Sequence, residues 1–371
     1  MSAHAEKFNV VKSRCRIRGR QGGFSLIELM ISITLGLLIM TGALALYLDL
    51  TKSNADLARM NRQVENGRFT LQVLQQELWH AGYWDTYVPS LPSITPPTAV
   101  PNPCIAFSDW DAIYINNMFS IPVQGYEAGV SVPTECSSIV TNRQSDSDVL
   151  VIRYASTCAA GVAGCENYSA GKLYLQTQAC GNTGHANYVA SAATTPVLGT
   201  TGVSLYKKDC TTVADKRKLI ISAFYVRNYS VTSGDGIPTL MRTDFDLSGG
   251  VVQMQSAQPI IEGIQSIQFE YGRDTDEDGS ADIFDDCASC TALDWANVVA
   301  VQVHVLARNL EASSGYVENK TYQLGSTTLG PFNDGFMRHV YTSYVRLVNP
   351  SGRREKPWKI NIFSRGKAAP L

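Results

Sequence analysis

The sequence predicts an α+β protein in which one long N-terminal helix precedes an enlarged, antiparallel, β-rich and disulfide-bonded body. Three observations carry this. An uncharged apolar run, Leu29 to Leu48, leads without a proline into a second stretch whose apolar residues recur every seven positions. From about residue 148 the chain holds several β-branched and aromatic runs set between turn residues. Eight of nine cysteines lie beyond residue 100, in a chain of 371 residues that is 44% apolar and 17% charged. Helix first and strands later is the α+β order, and such a composition supports a sizeable core.

Residues 1–23 form a basic leader, with Lys7, Lys12, Arg14, Arg16, Arg18 and Arg20 against the single acid Glu6. The remainder holds 25 basic and 32 acidic residues, so the body is acidic and lacks the basic face that a nucleic-acid partner requires. Only Cys15 lies in the leader. Removing it leaves Cys104, Cys136, Cys158, Cys165, Cys180, Cys210, Cys287 and Cys290, an even set that fits an exported, disulfide-bonded protein. Eight cysteines allow about 105 pairings, so their connectivity is open.

The run 29–48 is 20 residues long, enough for one helical membrane crossing. Basic residues lie only before it, which keeps the N-terminus cytoplasmic and sends the body across. The rival is a removable secretory signal, for which Ala43-Leu44-Ala45 offers a cleavage site. Such signals have shorter apolar regions, about 7–15 residues. They also have no reason to place Glu28 at the front of the run, where a carboxylate is costly without a partner. Beyond the membrane, Leu57, Val64, Leu71 and Leu78, with Met60, Gly67, Leu74 and Ala81, form a narrow stripe. One helix is expected from Phe24 to His80, ended by Gly82 and the Pro89–Pro103 loop. Its outer half either docks on the chain's own sheet or forms a free coiled coil, and docking is the expectation because so much β structure follows.

Strands are expected at 148–154, 172–176, 219–229, 239–246, 264–271, 298–307 and 339–348. The third and fourth flank Ser233-Gly234-Asp235-Gly236 and read as a hairpin. The domain plan is a cleaved leader 1–23, a helix 24–84 with its transmembrane segment at 29–48, and an exported body 85–371. Within the body, 104–215 reads as a Cys-rich, stapled elaboration.

Gly22-Gly23-Phe24-Ser25-Leu26-Ile27-Glu28, with the basic leader before it and the apolar run after it, resembles the class III signal of type IV pilins and pseudopilins. The resemblance implies cleavage between Gly23 and Phe24 by a membrane-embedded prepilin peptidase/N-methyltransferase, N-methylation of Phe24, and an assembly role for Glu28. Glycine at 23 lets a protease approach the backbone. Glu28 is placed to pair with the Phe24 amine of a neighbouring subunit, or else snorkels to the headgroups. Residues 147–154 (SDVLVIRY), 225–228 (YVRN), 236–242 (GIPTLMR), 270–279 (EYGRDTDEDG) and 344–349 (YVRLVN) resemble the PilW minor pilins, sparsely between 85 and 145 and between 155 and 215. That resemblance implies the type IV pilin fold and a structural subunit that helps prime pilus assembly at or near the pilus tip. It implies as partners other minor pilins, the major pilin and a large tip adhesin. The chain would sit in the inner membrane with a periplasmic body before assembly, and at the extracellular tip afterwards. A J-type minor pseudopilin of type II secretion is the alternative.

Residues 274–285 follow the D-x-D-x-D-G pattern of calcium loops. Asp274, Asp276, Asp278, the Ser280 carbonyl, Asp282 and Asp285 are the expected ligands. Aspartate at the twelfth position and a strand before the loop depart from an EF-hand, and the alternative is a solvated acidic turn. Cys287 and Cys290 follow, ready to close the loop as a disulfide; a zinc site would need more Cys or His nearby. His4, His80, His185, His304 and His339 are scattered. No G-x-S-x-G, P-loop or H-E-x-x-H occurs, so no enzyme is expected.

Overall fold

A computed structural model describes residues 23–87, 95–181, 197–200 and 205–355. The leader through residue 22, with His4 and Cys15, lies outside them, as do His185 and part of the Cys-rich stretch. Two compact units make up the chain, Met1–Asp56 and Leu57–Leu371. Helix α1 (Leu26–His80) crosses the boundary between them.

In the first unit α1 carries no charged side chain between Leu29 and Leu48, and with a mean hydropathy of 2.3 over its best window it is long and apolar enough to cross a membrane. Its hydroxyls are satisfied within the helix. Ser32 donates to the Glu28 carbonyl, Thr34 to those of Met30 and Ile31, and Thr41 to that of Leu37. A hydroxyl that bonds back one turn leaves no polar group bare in an apolar medium.

In the second unit α1 becomes one-sided. Its buried residues are Gln63, Gly67, Thr70, Leu74 and Leu78. The stripe therefore starts later than the seven-residue repeat implies, for Leu57 and Met60 remain 54% and 46% exposed. Two of its positions are polar because they meet backbone. Gln63 Nε2 donates to the carbonyls of Ala307 (2.8 Å) and Met337 (3.0 Å), and Thr70 Oγ1 to that of Asn66. Gly67 is where a side chain would collide with the Tyr341 ring. Lower down, Glu77 pairs with Arg242 (2.7 Å) and accepts the Tyr154 hydroxyl (2.8 Å). The helix ends at Gly82, whose φ of +71° only glycine adopts without strain. There Asn349 Nδ2 donates to the carbonyls of Trp79, His80 and Ala81, and Arg353 to that of Gly82.

After α1 come α2 (Ala112–Ser120), β1 (Val123–Tyr126), β2 (Val149–Ala159), β3 (Tyr174–Gln176), β4 (Val197–Gly199), β5 (Arg217–Arg227), β6 (Thr239–Ser248), β7 (Val251–Met254) and β8 (Gln258–Glu262). They are followed by β9 (Ile264–Arg273), β10 (Ile283–Asp285), α3 (Ala292–Ala296), β11 (Val298–Arg308), β12 (Tyr322–Leu324), β13 (Thr327–Leu329), β14 (Arg338–Arg346) and α4 (Val348–Arg354). An eight-stranded sheet runs β1-β2-β5-β3-β4, with β6 pairing β5, β7 and β8. A four-stranded sheet has the order β10-β9-β11-β14. Every pairing between these strands is antiparallel, and β5 and β6 form the hairpin expected from the 233–236 turn. The α+β class, with a disulfide-bonded antiparallel body, is thus the observed one.

The main core lies under α1. Leu74, Leu78 and Ala81 meet Leu150, Ile152 and Tyr154 of β2 and Val301, Val303 and Val305 of β11. Val151 and Ala155 of β2 point the other way, into a second core with Met118 and Phe119 of α2. The 104–215 stretch thus contributes a central strand, β2, as well as loops. Even Arg153 is fully buried there, donating to the carbonyls of Ile121 (3.0 Å) and Pro101 (3.1 Å). Helix α2 was not expected; its signal is Asp111, whose side chain accepts the Tyr114 N–H as an N-cap.

The burial pattern orders two substitutions on one helix. Leu74→Ala should destabilise the full chain in detergent by about 2–5 kcal/mol, whereas Leu57→Ala should stay within about 0.5 kcal/mol. Chemical denaturation followed by fluorescence measures both, and equal losses would show that the helix does not bury the face described.

Candidate functional site

Two places carry the residues singled out above: the segment at the start of α1 and the acidic loop after β9. At the first, Gly23 and Phe24 lie before the helix in non-helical backbone. Among the described residues nothing stands within 4 Å of the position a Gly23 side chain would take, and Phe24 is 81% exposed. Both sides of the Gly23–Phe24 bond are accessible. Glu28 is the acid of the first turn of α1, exposed, where the helix dipole favours a carboxylate. Phe24, Leu26 and Ile27 around it are exposed apolar side chains.

The acidic loop is built around Asp274, which is fully buried at the end of β9. Its two carboxylate oxygens accept the N–H groups of Asp278 (3.1 Å) and Gly279 (3.0 Å). Gly279 has φ of +89°, and a side chain there would lie 2.7 Å from the Ser351 carbonyl. Glycine is thus required twice, for the turn and because α4 closes over it. Arg354 of α4 reaches Asp274 Oδ2 at 3.4 Å and also donates to Asn297 Oδ1 and the Ala296 carbonyl. Asp282 accepts both the N–H (2.8 Å) and the hydroxyl (2.7 Å) of Thr275. Those bonds hold its carboxyl below the usual range.

Carboxylate oxygens of Asp274, Asp276 and Asp282 lie within 4.8 Å of one another. The carboxylates of Asp278 and Asp285 are not in this group. Asp278 accepts the Ser280 N–H (2.7 Å). Asp285 is the last residue of β10, where it pairs with Arg273 and accepts the Cys287 N–H. The twelve-position ligand order fails because the chain returns as a strand against β9 rather than as a helix, which carries position twelve away. Arg354 could not be found from local pattern, since it lies 80 residues downstream.

The cysteines pair as Cys104–Cys136, Cys158–Cys165, Cys180–Cys210 and Cys287–Cys290. Oxidised sulfurs at 287 and 290 offer no thiolate to a metal. His304 is buried on β11 with Nδ1 3.0 Å from Thr342 Oγ1, and burial pushes its pKa down. His80 stacks on Tyr154 and His339 meets Tyr341 edge to face, which gives both packing roles.

Residues 223–349, from the end of β5 through β14 to the first turn of α4, match the family model of the type IV pilus-assembly protein W. Residues 18–44, spanning the Gly23–Phe24 bond, match the prokaryotic N-terminal methylation motif. No curated protein sequence matches the chain. A solved type IV-like pilin from Thermus thermophilus aligns over 78% of this chain and 98% of its own, at 12% identity and a TM-score of 0.35. An apolar N-terminal helix behind a methylation motif, continued into a disulfide-bonded β body, defines a type IV pilin-like protein anchored through that helix. More particularly, its residues 223–349 are similar to the pilus-assembly protein W family.

The disulfides differ in the length of chain that they close. Serine at both Cys104 and Cys136, with a sequence separation of 32, should cost about 3.5 kcal/mol. Serine at both Cys287 and Cys290, with a separation of 3, should cost no more than about 2 kcal/mol. Equilibrium unfolding of the two double variants tests the order, and a reversed order would contradict the closed-loop account.

Proposed function

We propose that this chain is a minor pilin: a structural subunit, without enzymatic activity, that helps prime assembly of a type IV pilus and stays at or near its tip. The observation that carries this reading is the joining, in one chain, of the methylation motif at 18–44 with the pilus-assembly W domain at 223–349. Before assembly the chain spans the inner membrane with its body in the periplasm. The prepilin peptidase/N-methyltransferase cuts the exposed Gly23–Phe24 bond and methylates the new amine. Glu28 then pairs with the Phe24 amine of a neighbouring subunit inside a low-dielectric helix bundle. Its partners there are other minor pilins and the major pilin, with a large adhesin above them. The W-type match supports a pilus over the secretion-system alternative.

Mass spectrometry of the mature N-terminus should find N-methylated Phe24, and bulky substitution of Gly23 should leave the full leader attached. A mature terminus near residue 46 would restore the ordinary secretory signal. Glu28→Leu removes one partner of a buried ion pair, a loss of about 3–5 kcal/mol in such settings. The variant should be processed and stable yet nearly absent from sheared pili, and crosslinks to other pilins should be lost with it. Wild-type incorporation would leave Glu28 as a snorkelling side chain only.

We propose also that the acidic loop takes a calcium ion through Asp274, Asp276 and Asp282. Three hard oxygen donors so close together repel unless a cation joins them, and calcium accepts such donors at flexible geometry. Arg354 already sits on Asp274 and competes, which puts the affinity in the weak range of about 10⁻⁴–10⁻³ M. Calcium at tenfold excess over its dissociation constant should add about 1.4 kcal/mol to the stability of the full chain. Asp276→Asn with Asp282→Asn should abolish the difference between calcium and chelator. Identical melting of wild type in both would leave Arg354 as the loop's counterion.

A further inference from the structure

The two sheets of the body meet where residues 146–148 lie against β9. The Asp148 N–H donates to the Ile267 carbonyl (2.9 Å). Ser147 Oγ accepts the Ile267 N–H (3.1 Å), and the Asp146 carbonyl accepts Ser266 Oγ (2.6 Å) and Gln268 Nε2 (2.9 Å). Asp148 itself is fully buried and bridges both sides. Its Oδ2 accepts the Phe269 N–H (2.9 Å) and its Oδ1 the Ala128 N–H (2.9 Å).

The residue facing Asp148 is another acid. In the β1–β2 ladder Gly125 pairs with Leu150 and Tyr126 with Val149, so the next pair outward is Glu127 with Asp148. Like charges directly opposite on a sheet repel. Here the ladder sets the two acids face to face, and Glu127 Oε1 is buried with no donor against it among the described residues. The Tyr271 hydroxyl comes down on Gly125, on the same face two residues away, buried and also without a partner. Arg143 is the cation beside them, but its donors go to the carbonyls of Tyr126, Glu127, Val130 and Ser147. Asp286, from the loop after β10, adds a further negative charge. Asp146, next along the seam, is raised by burial too.

We propose that Glu127 and Asp148 hold one proton between them, and that this shared proton locks the seam between the eight-stranded and four-stranded sheets. With the proton in place, one carboxyl donates to the other and the pair carries a single charge, which the N–H groups of Ala128 and Phe269 stabilise. Without it, two buried carboxylates face each other beside Asp286, and the 126–130 turn is pushed off Asp148, which bridges it to β9. Burial, then the neighbouring acids, raises both carboxyls above their ordinary range, Glu127 to about 8, while the two N–H bonds and Arg143 act against this on Asp148. The folded pKa lies above the unfolded one, so the closed seam binds the extra proton. Its stability is complete below the ordinary carboxylate range, declines as pH rises through it, and levels off above about 8. This inference is independent of the pilus assignment.

Hydrogen exchange of the Ala128 and Phe269 amides in the full-length chain, in detergent and chelator, tests the lock. After correction for intrinsic exchange, wild-type protection should fall by up to about tenfold per pH unit between pH 5 and 8. Glu127→Gln supplies a permanent amide donor to Asp148. It should flatten that dependence and melt above wild type at pH 8.5 while matching it at pH 5. Parallel profiles for the two proteins would overturn the proposal. So would calcium restoring wild-type protection at pH 8.5, since the pair would then be a cation site rather than a proton site.

Discussion

Burial of one face of α1 between Gln63 and Ala81 is the interaction from which the rest of the body takes its position. Leu74 and Leu78 supply apolar area, but the face is not simply apolar. Gln63 is buried because the helix crosses the Ala307 and Met337 carbonyls that would otherwise lose their water, Thr70 because its hydroxyl bonds back to Asn66 of its own helix, and Gly67 because Tyr341 needs the space. Glu77 reaches past the four-stranded sheet to Arg242 and Tyr154 of the larger one. The helix thereby holds both sheets, and Asn349 and Arg353 satisfy its last carbonyls from the far end of the chain. Sequence positions nearly 270 residues apart close one structure.

The same helix obeys a different rule before Asp56. Between Leu29 and Leu48 every face is uncharged and exposed, and hydroxyls turn inward to their own backbone. One continuous helix thus meets two environments, and the composition of its faces changes where the environment does. A pilin-like subunit needs both: an anchor that is apolar all round, and a stalk whose inner side is committed to its own body.

Charge handling in the body follows one principle at several places. Arg153, Asp148 and Asp274 are completely buried, and each is held by backbone groups rather than by an opposite charge alone. Backbone dipoles cannot be removed by exchange with solvent, so they fix the side chain and the loop together. At Asp274 this draws α4 over the acidic loop. At Asp148 it joins the two sheets. Asp274 lies within the stretch matched by the pilus-assembly W family, and Asp148 accepts the Phe269 N–H of that stretch.

Much of the fold was legible because it rests on local pattern. The apolar run, the Gly-Phe junction and Glu28 are consecutive, and the strands at 298–308 and 338–346 announce themselves by β-branched content. The hairpin at 233–236 needs only its turn residues. The Cys287–Cys290 link was legible from its spacing, but the start of the buried stripe at Gln63, the Cys104–Cys136 and Cys180–Cys210 pairings and the role of Arg354 were not, because each depends on a partner far along the chain. The acidic loop shows the division most plainly. Sequence alone determined that its aspartates alternate and that glycine must follow them. Only the tertiary structure decided that Asp285 belongs to Arg273 and that Asp274, Asp276 and Asp282 converge. A strand carries successive residues away from a centre, and nothing in the loop's own residues says whether strand or helix comes next.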